Sequence, residues 1–461
     1  MTDFPRKTAL HILHTVEQER KTLDAVLDQV FAEQTFDRRD RSFIYALVYG
    51  VLRWRERLDY IIAHFSKSGM DKIRPDILDI LRMGIFQILY MDRIPASAAV
   101  NTSVNLAKET GAGSPVCGFV NGLLRNVLRN QENIAFPNPE KEPVSALSIG
   151  ESFPRWLVER WMSRFGYEES QRICQALNTP APLTIRTNTL KITREKLMDS
   201  LRTEVEHAEP GMYTAEGILL SGQMPSVPKI KAFQEGWFQV QDEAAQLVTR
   251  MLNPKPGEHI LDACAGLGGK TGHIAQMMEN QGKILAMDNS REKLSSLKAE
   301  MERLGISIVT DCEYDLNKKP DADKFGMFDR VLLDAPCSGL GVIRRNPDTK
   351  WAVSEKNPAR YKDRQIRFLH HLADLVKPNG LLVYAVCSTE TEENEAVVSA
   401  FLKKHAEFRV EKNLPGLPEK ALSLLTSEGY LRTFPHLHHT DGFFSVCFRR
   451  QENSDSNSPL I

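Results

Sequence analysis

Three short stretches of this chain set reactive side chains directly after apolar runs: "LLVYAVCSTETEENE" (381–395), "LLDAPCSGLGVIRRNPDTKW" (332–351) and "ILDACAGLGGKT" (260–271). The first ends an apolar run on a thiol, Cys387; the second follows one with a carboxylate and a thiol, Asp334 and Cys337. A thiolate is a strong nucleophile. Two thiols and a carboxylate would suit a carbon that is too weak a nucleophile to accept a methyl group unaided, such as C5 of cytosine. A thiolate adding at C6 turns C5 into an enamine-like carbon, which splits one hard step into two. Asp334 could stabilise the adduct from the N3 side of the ring, after which a base takes the C5 proton and the thiol is eliminated.

Local sequence around Cys387 predicts a helix start. Ser388 or Thr389 would cap it, and Thr389-x-x-Glu392 fits a capping box. Cys387 would then sit just ahead of the positive end of a helix dipole, which favours thiolate. The acids that follow oppose this unless the cap turns them along the helix and away from the sulfur. A plain core cysteine is the competing reading of the same residues.

The third stretch reads as strand, glycine-rich turn and helix start. A P-loop needs glycine where Cys264 stands, so "GGKT" does not make one. Gly266, Gly268, Gly269 and Gly272 match a dinucleotide fingerprint only loosely. S-adenosylmethionine is the remaining reading. Asp262 closes the strand, Asp288 in "KILAMDNS" closes the next and could accept ribose hydroxyls, and Asp315 in "YDL" could hold an adenine amino group. Spacing alone leaves the two nucleoside cofactors unresolved.

These stretches need a scaffold that brings strand ends together. From about 236 to 450, strand-like runs ("HILDACAG", "KILAMD", "SIVTDC", "DRVLLDAP", "GLLVYAVCS") alternate with helical ones, the mark of a parallel doubly wound α/β sheet, with "GFFSVCFRR" as the last strand. Ligands in such sheets bind beyond the carboxyl ends of the strands, so Cys337, Cys387, Asp334, Asp262 and Asp288 should face one cleft. Residues 150–235 mix short strands and helices, as in a small α+β (RRM-like) module. Residues 1–140 carry apolar positions at three- and four-residue spacing throughout and predict an all-α bundle. The proline-bearing stretch 130–150 should hold neither helix nor strand, and the polar tail 451–461 should not pack.

With 461 residues, several domains are expected. Seven cysteines without a C-x-x-C pair suggest free thiols, and neither a disulfide framework nor a metal site. No signal-peptide pattern or membrane-length apolar run is present, so a cytoplasmic protein without membrane attachment is expected, and a monomer. A net charge of −1 argues against indiscriminate nucleic-acid coating but allows local basic faces: "DRRDR" (37–41), "LRWRER" (52–57) and "LLRNVLRN" (123–130). Arg344, Arg345, Lys350 and Trp351 are expected to hold RNA backbone and stack an unpaired base.

Taken together, "FQVQDEAAQLV", "LDACAGLGGKT", "MDNSREKL", "LLDAPCSGLGVIRRNPDTKW", "YAVCSTETEENE" and "DGFFSVCF" resemble the Sun-type (Nop/Sun) RNA cytosine-C5 methyltransferases, and residues 37–62 and 120–130 resemble the NusB-type RNA-binding bundle. The resemblance implies a Rossmann-like domain that uses S-adenosylmethionine and an RNA substrate, 16S ribosomal RNA given the helical N-terminus. It implies Cys387 as nucleophile, Cys337 as the thiol that assists release, and Asp334 and Lys270 beside the base. It also implies cofactor contacts from Cys264, Ala265, Gly266, Leu267, Gly268, Gly269, Lys270, Asp288, Asp315 and Asp334. One departure stands out: Gly266-Leu267 replaces the family's usual Ala-Pro, so a looser turn and weaker cofactor binding are expected. The rival readings are a non-catalytic RNA-binding factor and the same chemistry on transfer RNA.

Overall fold

A computed structural model of the chain describes residues 3–67 and 69–452. Most of the predicted polar tail, 453–461, lies outside the described residues. The chain divides into two compact units: Met1–Thr179 with Ile343–Glu355, and Pro180–Val342 with Lys356–Ile461.

The first unit is helical, as the three- and four-residue spacing predicts. Its long helices are Phe4–Glu19, Leu23–Glu33, Arg38–Phe65, Pro75–Tyr90, Ala96–Glu109 and Ser114–Asn130. Their apolar stripes close one core that includes Ile12, Val48, Ile80 and Leu124. Arg82 is buried there, with its guanidinium on both oxygens of Asp59 (2.7 and 2.8 Å) and on Asp79 and Glu17. Such a cluster is tolerable inside because each charge is hydrogen-bonded. The stretch 130–150 departs from expectation: Pro143–Glu151 is a helix. Proline at the first helical position costs nothing, because that N–H has no intrahelical partner. Helices Arg155–Phe165 and Tyr167–Leu177 also belong to this unit, so its compact boundary falls after Thr179.

Residues 343–355 join the same core. Lys350 is fully buried, and its ammonium donates to the carbonyls of Arg53 (3.1 Å) and Ser152 (3.0 Å) and to Asn178 Oδ1 (2.7 Å). The Trp351 indole donates to the Leu52 carbonyl (2.7 Å), and Asp348 accepts from the Leu23 N–H (3.1 Å).

The second unit carries two sheets. The smaller comprises β1 (Leu183–Thr187), β2 (His207–Pro210), β3 (Gly217–Ser221) and β4 (Phe238–Val240), antiparallel in the order β2-β3-β1-β4. The larger comprises β5 (His259–Asp262), β6 (Lys283–Asp288), β7 (Val309–Glu313), β8 (Phe328–Asp334), β9 (Val376–Val386), β10 (Phe408–Val410), β11 (Leu431–Thr433) and β12 (Phe443–Arg450). Its order is β10-β12-β9-β8-β5-β6-β7, with β11 on β12. Strands β5 to β9 are parallel, each reached by a crossover, whereas β12 runs antiparallel to β9, so the sheet is mixed. Residues 380–386 of β9 are buried without interruption, which explains why they read as an unbroken apolar run rather than an alternation. The chain reverses its direction of travel between β5 and β8, so a crevice opens at their carboxyl ends.

Candidate active site

Four of the five parallel strands deliver a predicted residue at their ends: Asp262 closes β5, Asp288 closes β6, Asp334 closes β8, and Cys387 follows β9. After β5 the chain turns through Gly266 (φ 57°) and Gly268 (φ 86°) into helix Gly269–Met277. A left-handed turn of this kind strains any residue with a Cβ, so Gly266 suits its position without the stiffness of proline beside it. The Gly266 N–H donates to one Asp288 oxygen (3.0 Å), and the Ser290 N–H donates to the other (2.9 Å). Asp288 is therefore fixed by main chain on both sides of the crevice. Leu267 stands exposed at the tip of the turn.

Asp262 is buried. It accepts from the Thr271 hydroxyl (2.7 Å) through one oxygen, while the other is enclosed without a protein partner. Burial pushes its carboxyl up to about 7, helped by the charges of Asp334 and Asp288 and opposed by the Thr271 bond and Lys270. Burial likewise raises the Cys264 thiol, with the three aspartates adding to it, so Cys264 keeps its proton and is not a nucleophile. Asp315 lies in the turn after β7. The Asn317 N–H (3.0 Å) and side-chain amide (2.9 Å) donate to its carboxylate and hold it below the usual range.

Lys270 donates to Asp334 at 2.6 Å and lies 5.3 Å from the centre of the Phe443 ring. Beside this pair the two thiols meet: the sulfurs of Cys337 and Cys387 are 3.2 Å apart. The bond to Cys387 and burial raise Cys337, and the charges of Cys387 and Glu393 add to that. Cys337 therefore carries its proton at neutral pH.

The helix-dipole expectation fails. The helix after β9 begins at Glu395, with Asn394 before it, so Ser388 and Thr389 are not its cap and Cys387 does not abut its positive end. Nor do the acids all turn away. Glu393 is fully buried and folds back, accepting from the Ser338 N–H (2.9 Å), the Ser338 hydroxyl, the Ser388 hydroxyl (2.6 Å) and the Gln365 amide (3.0 Å). Those four donors fix Glu393, the residue that follows the glutamate of the expected capping box. Sequence reasoning missed Glu393, Ser338 and Gln365, and read Ser388 as a helix cap. The two C-S dipeptides were the available signal.

The structure places the residues expected to contact RNA in the segment that joins the helical unit. Lys350 and Trp351 spend their N–H groups inside the helical unit, Trp351 is half-buried with Arg55 over its ring (5.3 Å), and Arg344 is buried. Lys350 is committed to three oxygens, so it is not a free phosphate ligand. Arg345 is half-buried in the same segment.

Comparison with known proteins agrees with this architecture. A "Probable ribosomal RNA small subunit methyltransferase B" of Bacillus subtilis is 35% identical over 449 residues, 97% of this chain and 98% of the relative. The chain belongs to the 16S rRNA methyltransferase RsmB/F family. The model of that family matches residues 249–449, the NusB family model matches 4–129, and the RsmF/B-like ferredoxin-like domain matches 153–226. Among solved structures, PH0851 is 27% identical with a TM-score of 0.79, covering 96% of this chain and 98% of that one. NSun6 from Pyrococcus horikoshii, solved with SFG, is 26% identical with a TM-score of 0.58, covering 66% and 100%. The fold is thus a NusB-type helical domain, a ferredoxin-like module and a Rossmann-like methyltransferase domain, and the cofactor is S-adenosylmethionine. That settles the choice between nucleoside cofactors, which spacing alone left open. The residues fit it: Asp288, at the end of β6, would accept from ribose hydroxyls, and the enclosed Asp262 oxygen would accept from a cationic amino group.

Proposed function

We propose that this protein methylates C5 of a cytosine in 16S ribosomal RNA through a covalent adduct between Cys387 and C6. The observation that carries the reading is the thiol pair, 3.2 Å apart and formed at the ends of adjacent parallel strands β8 and β9, on the side of the sheet where Asp288 and the glycine turn lie. Two thiols have no use in simple methyl transfer to an already nucleophilic atom, and one of them stays protonated.

S-adenosylmethionine supplies an electrophilic methyl group when bound. The Cys387 thiolate adds to C6, the C5–C6 electrons move to C4–C5 and those of C4–N3 onto N3, where the Asp334 carboxyl, beside Lys270, delivers a proton that it takes back when the ring is restored. C5 then takes the methyl group, the new C–C bond forming as the methyl–sulfur bond breaks. A base removes the C5 proton, the double bond re-forms, and the Cys387–C6 bond breaks. Cys337 keeps its proton, so it offers a hydrogen bond to the departing Cys387 sulfur and favours release. Asp315 is positioned by this reading at the adenine end. The target base must be unstacked to open both faces.

The test is methyl transfer from labelled cofactor to small-subunit ribosomal RNA, with the product nucleoside identified. The wild type is expected to yield 5-methylcytidine, Cys387→Ala neither product nor adduct, and Cys337→Ala a protein–RNA adduct that survives denaturing electrophoresis. An adduct formed by Cys387→Ala would overturn the assignment, and product that is not methylated at C5 would overturn the reaction.

A further inference from the structure

Glu393 is a fully buried carboxylate between the end of β9 and helix Glu395–Lys404, outside every reacting position assigned above. Oε1 accepts from the Ser338 N–H and from Gln365, and Oε2 accepts from the hydroxyls of Ser388 and Ser338. Ser338 follows Cys337 and Ser388 follows Cys387, so a single side chain holds both residues that adjoin the thiols. The two hydroxyls are themselves 3.2 Å apart. The carboxylate is fixed in turn, because the Tyr384 hydroxyl of β9 donates to the Glu393 carbonyl (2.6 Å), and Gln365, from helix Asn357–Ala373, also donates to the Pro336 carbonyl (3.0 Å).

Burying a carboxylate is costly, and packed apolar residues could fill the same volume at similar or better stability. What an apolar residue cannot do is accept from two loops at once. A planar two-headed group, a carboxylate or its isosteric amide, can bond both loops at fixed separation.

We propose that Glu393 is a positioning residue for the two-thiol chemistry: it sets the distance and orientation between Cys337 and Cys387. The proposal rests on the roles given to the two cysteines above. It explains why the acid run after Cys387 does not cap a helix.

The test uses the full-length protein with Glu393→Ala, Glu393→Gln and Ser388→Ala. The first readout needs no RNA: the rate at which diamide oxidises Cys337 and Cys387 to a disulfide, followed by mass spectrometry of the two peptides. Glu393→Ala should slow it by about tenfold or more, since loss of a positioning contact displaces both sulfurs. Glu393→Gln should stay within about threefold of wild type, because its carbonyl still accepts from the Ser338 N–H and Gln365 while the serine hydroxyls rotate to accept from its amide. The second readout is single-turnover methyl transfer at saturating RNA and cofactor. It should fall about 100-fold in Glu393→Ala, with cofactor affinity unchanged and substantial rescue in Glu393→Gln.

Wild-type rates of both reactions in Glu393→Ala would overturn the proposal, as would a loss in cofactor affinity that accounts for the whole effect. If Glu393→Ala fails to fold, Ser388→Ala releases only the Cys387 side and should still slow disulfide formation, and an unchanged rate overturns the proposal. If Cys387→Ala retains methyl transfer while Glu393→Ala slows disulfide formation, the thiol clamp stands and the nucleophile assignment falls.

Discussion

Asp262 illustrates how one residue couples cofactor chemistry to stability. Its carboxyl is buried, accepts one hydrogen bond from Thr271, and is pushed up to about 7. A folded-state value above the unfolded one, about 4, means that the native state holds the extra proton between those limits. The resulting stability is fully present below about pH 4 and is lost as pH rises through 7. Without cofactor, the melting temperature of wild type relative to Asp262→Asn should therefore fall between about pH 4 and 7 and level off above that, by about 2–4 °C per kcal/mol for a unit of this size. Thermal unfolding across that range checks it; a difference that does not change with pH would mean that Asp262 is ionised throughout. Cys337 follows the same physics, raised first by the bond to its neighbour's sulfur and then by burial.

At the scale of elements, the thiols depend on how closely three strand-end loops approach. The Gly341 N–H donates to the Cys387 carbonyl (3.0 Å), and the Gly442 N–H donates to the Gly341 carbonyl (2.8 Å). A Cβ at Gly341 would meet the Gly442 oxygen at 1.9 Å and the Cys387 oxygen at 3.0 Å, both main-chain atoms that cannot rotate aside. Gly341→Ala should cost about 1–3 kcal/mol, the usual penalty of overpacking, and should lower single-turnover methylation more than cofactor affinity. Thermal unfolding and a cofactor titration on the same variant separate those effects. The sequence could not announce this contact, because the residues involved are 46 and 101 positions apart along the chain. The burial of Glu393 was hidden for the same reason, since its donors Ser338 and Gln365 come from other elements.

The whole chain returns to its first unit late, and that has a measurable consequence. Residues 343–355 supply Asp348, Lys350 and Trp351 to a core otherwise built before residue 180. A fragment ending at Thr179 would leave the Leu23 N–H, the carbonyls of Leu52, Arg53 and Ser152, and Asn178 Oδ1 without these partners. Each unsatisfied buried group costs about 1–3 kcal/mol, so the fragment should melt well below the intact protein. A peptide of residues 343–355 should raise its melting temperature in a dose-dependent way, and one carrying Lys350→Met should do so much less. No response to the wild-type peptide would show that the segment adds nothing to this core.

Much of this was legible in the sequence. Strand runs ending in Asp262, Asp288, Asp334 and Cys387 were readable, because a strand buried on both faces leaves an unbroken apolar run and a polar residue must end it. The first helices were readable because their spacing is local. By itself the sequence determined the class of each element, the glycine turn and the identities of the thiols and carboxylates, all properties of neighbouring residues. Tertiary structure alone decided that the Lys350 ammonium lies on three core oxygens, that Glu393 accepts from two serines, and that the two sulfurs lie 3.2 Å apart. Those outcomes depend on which buried donors lack acceptors, and the groups that compete for them come from distant parts of the chain.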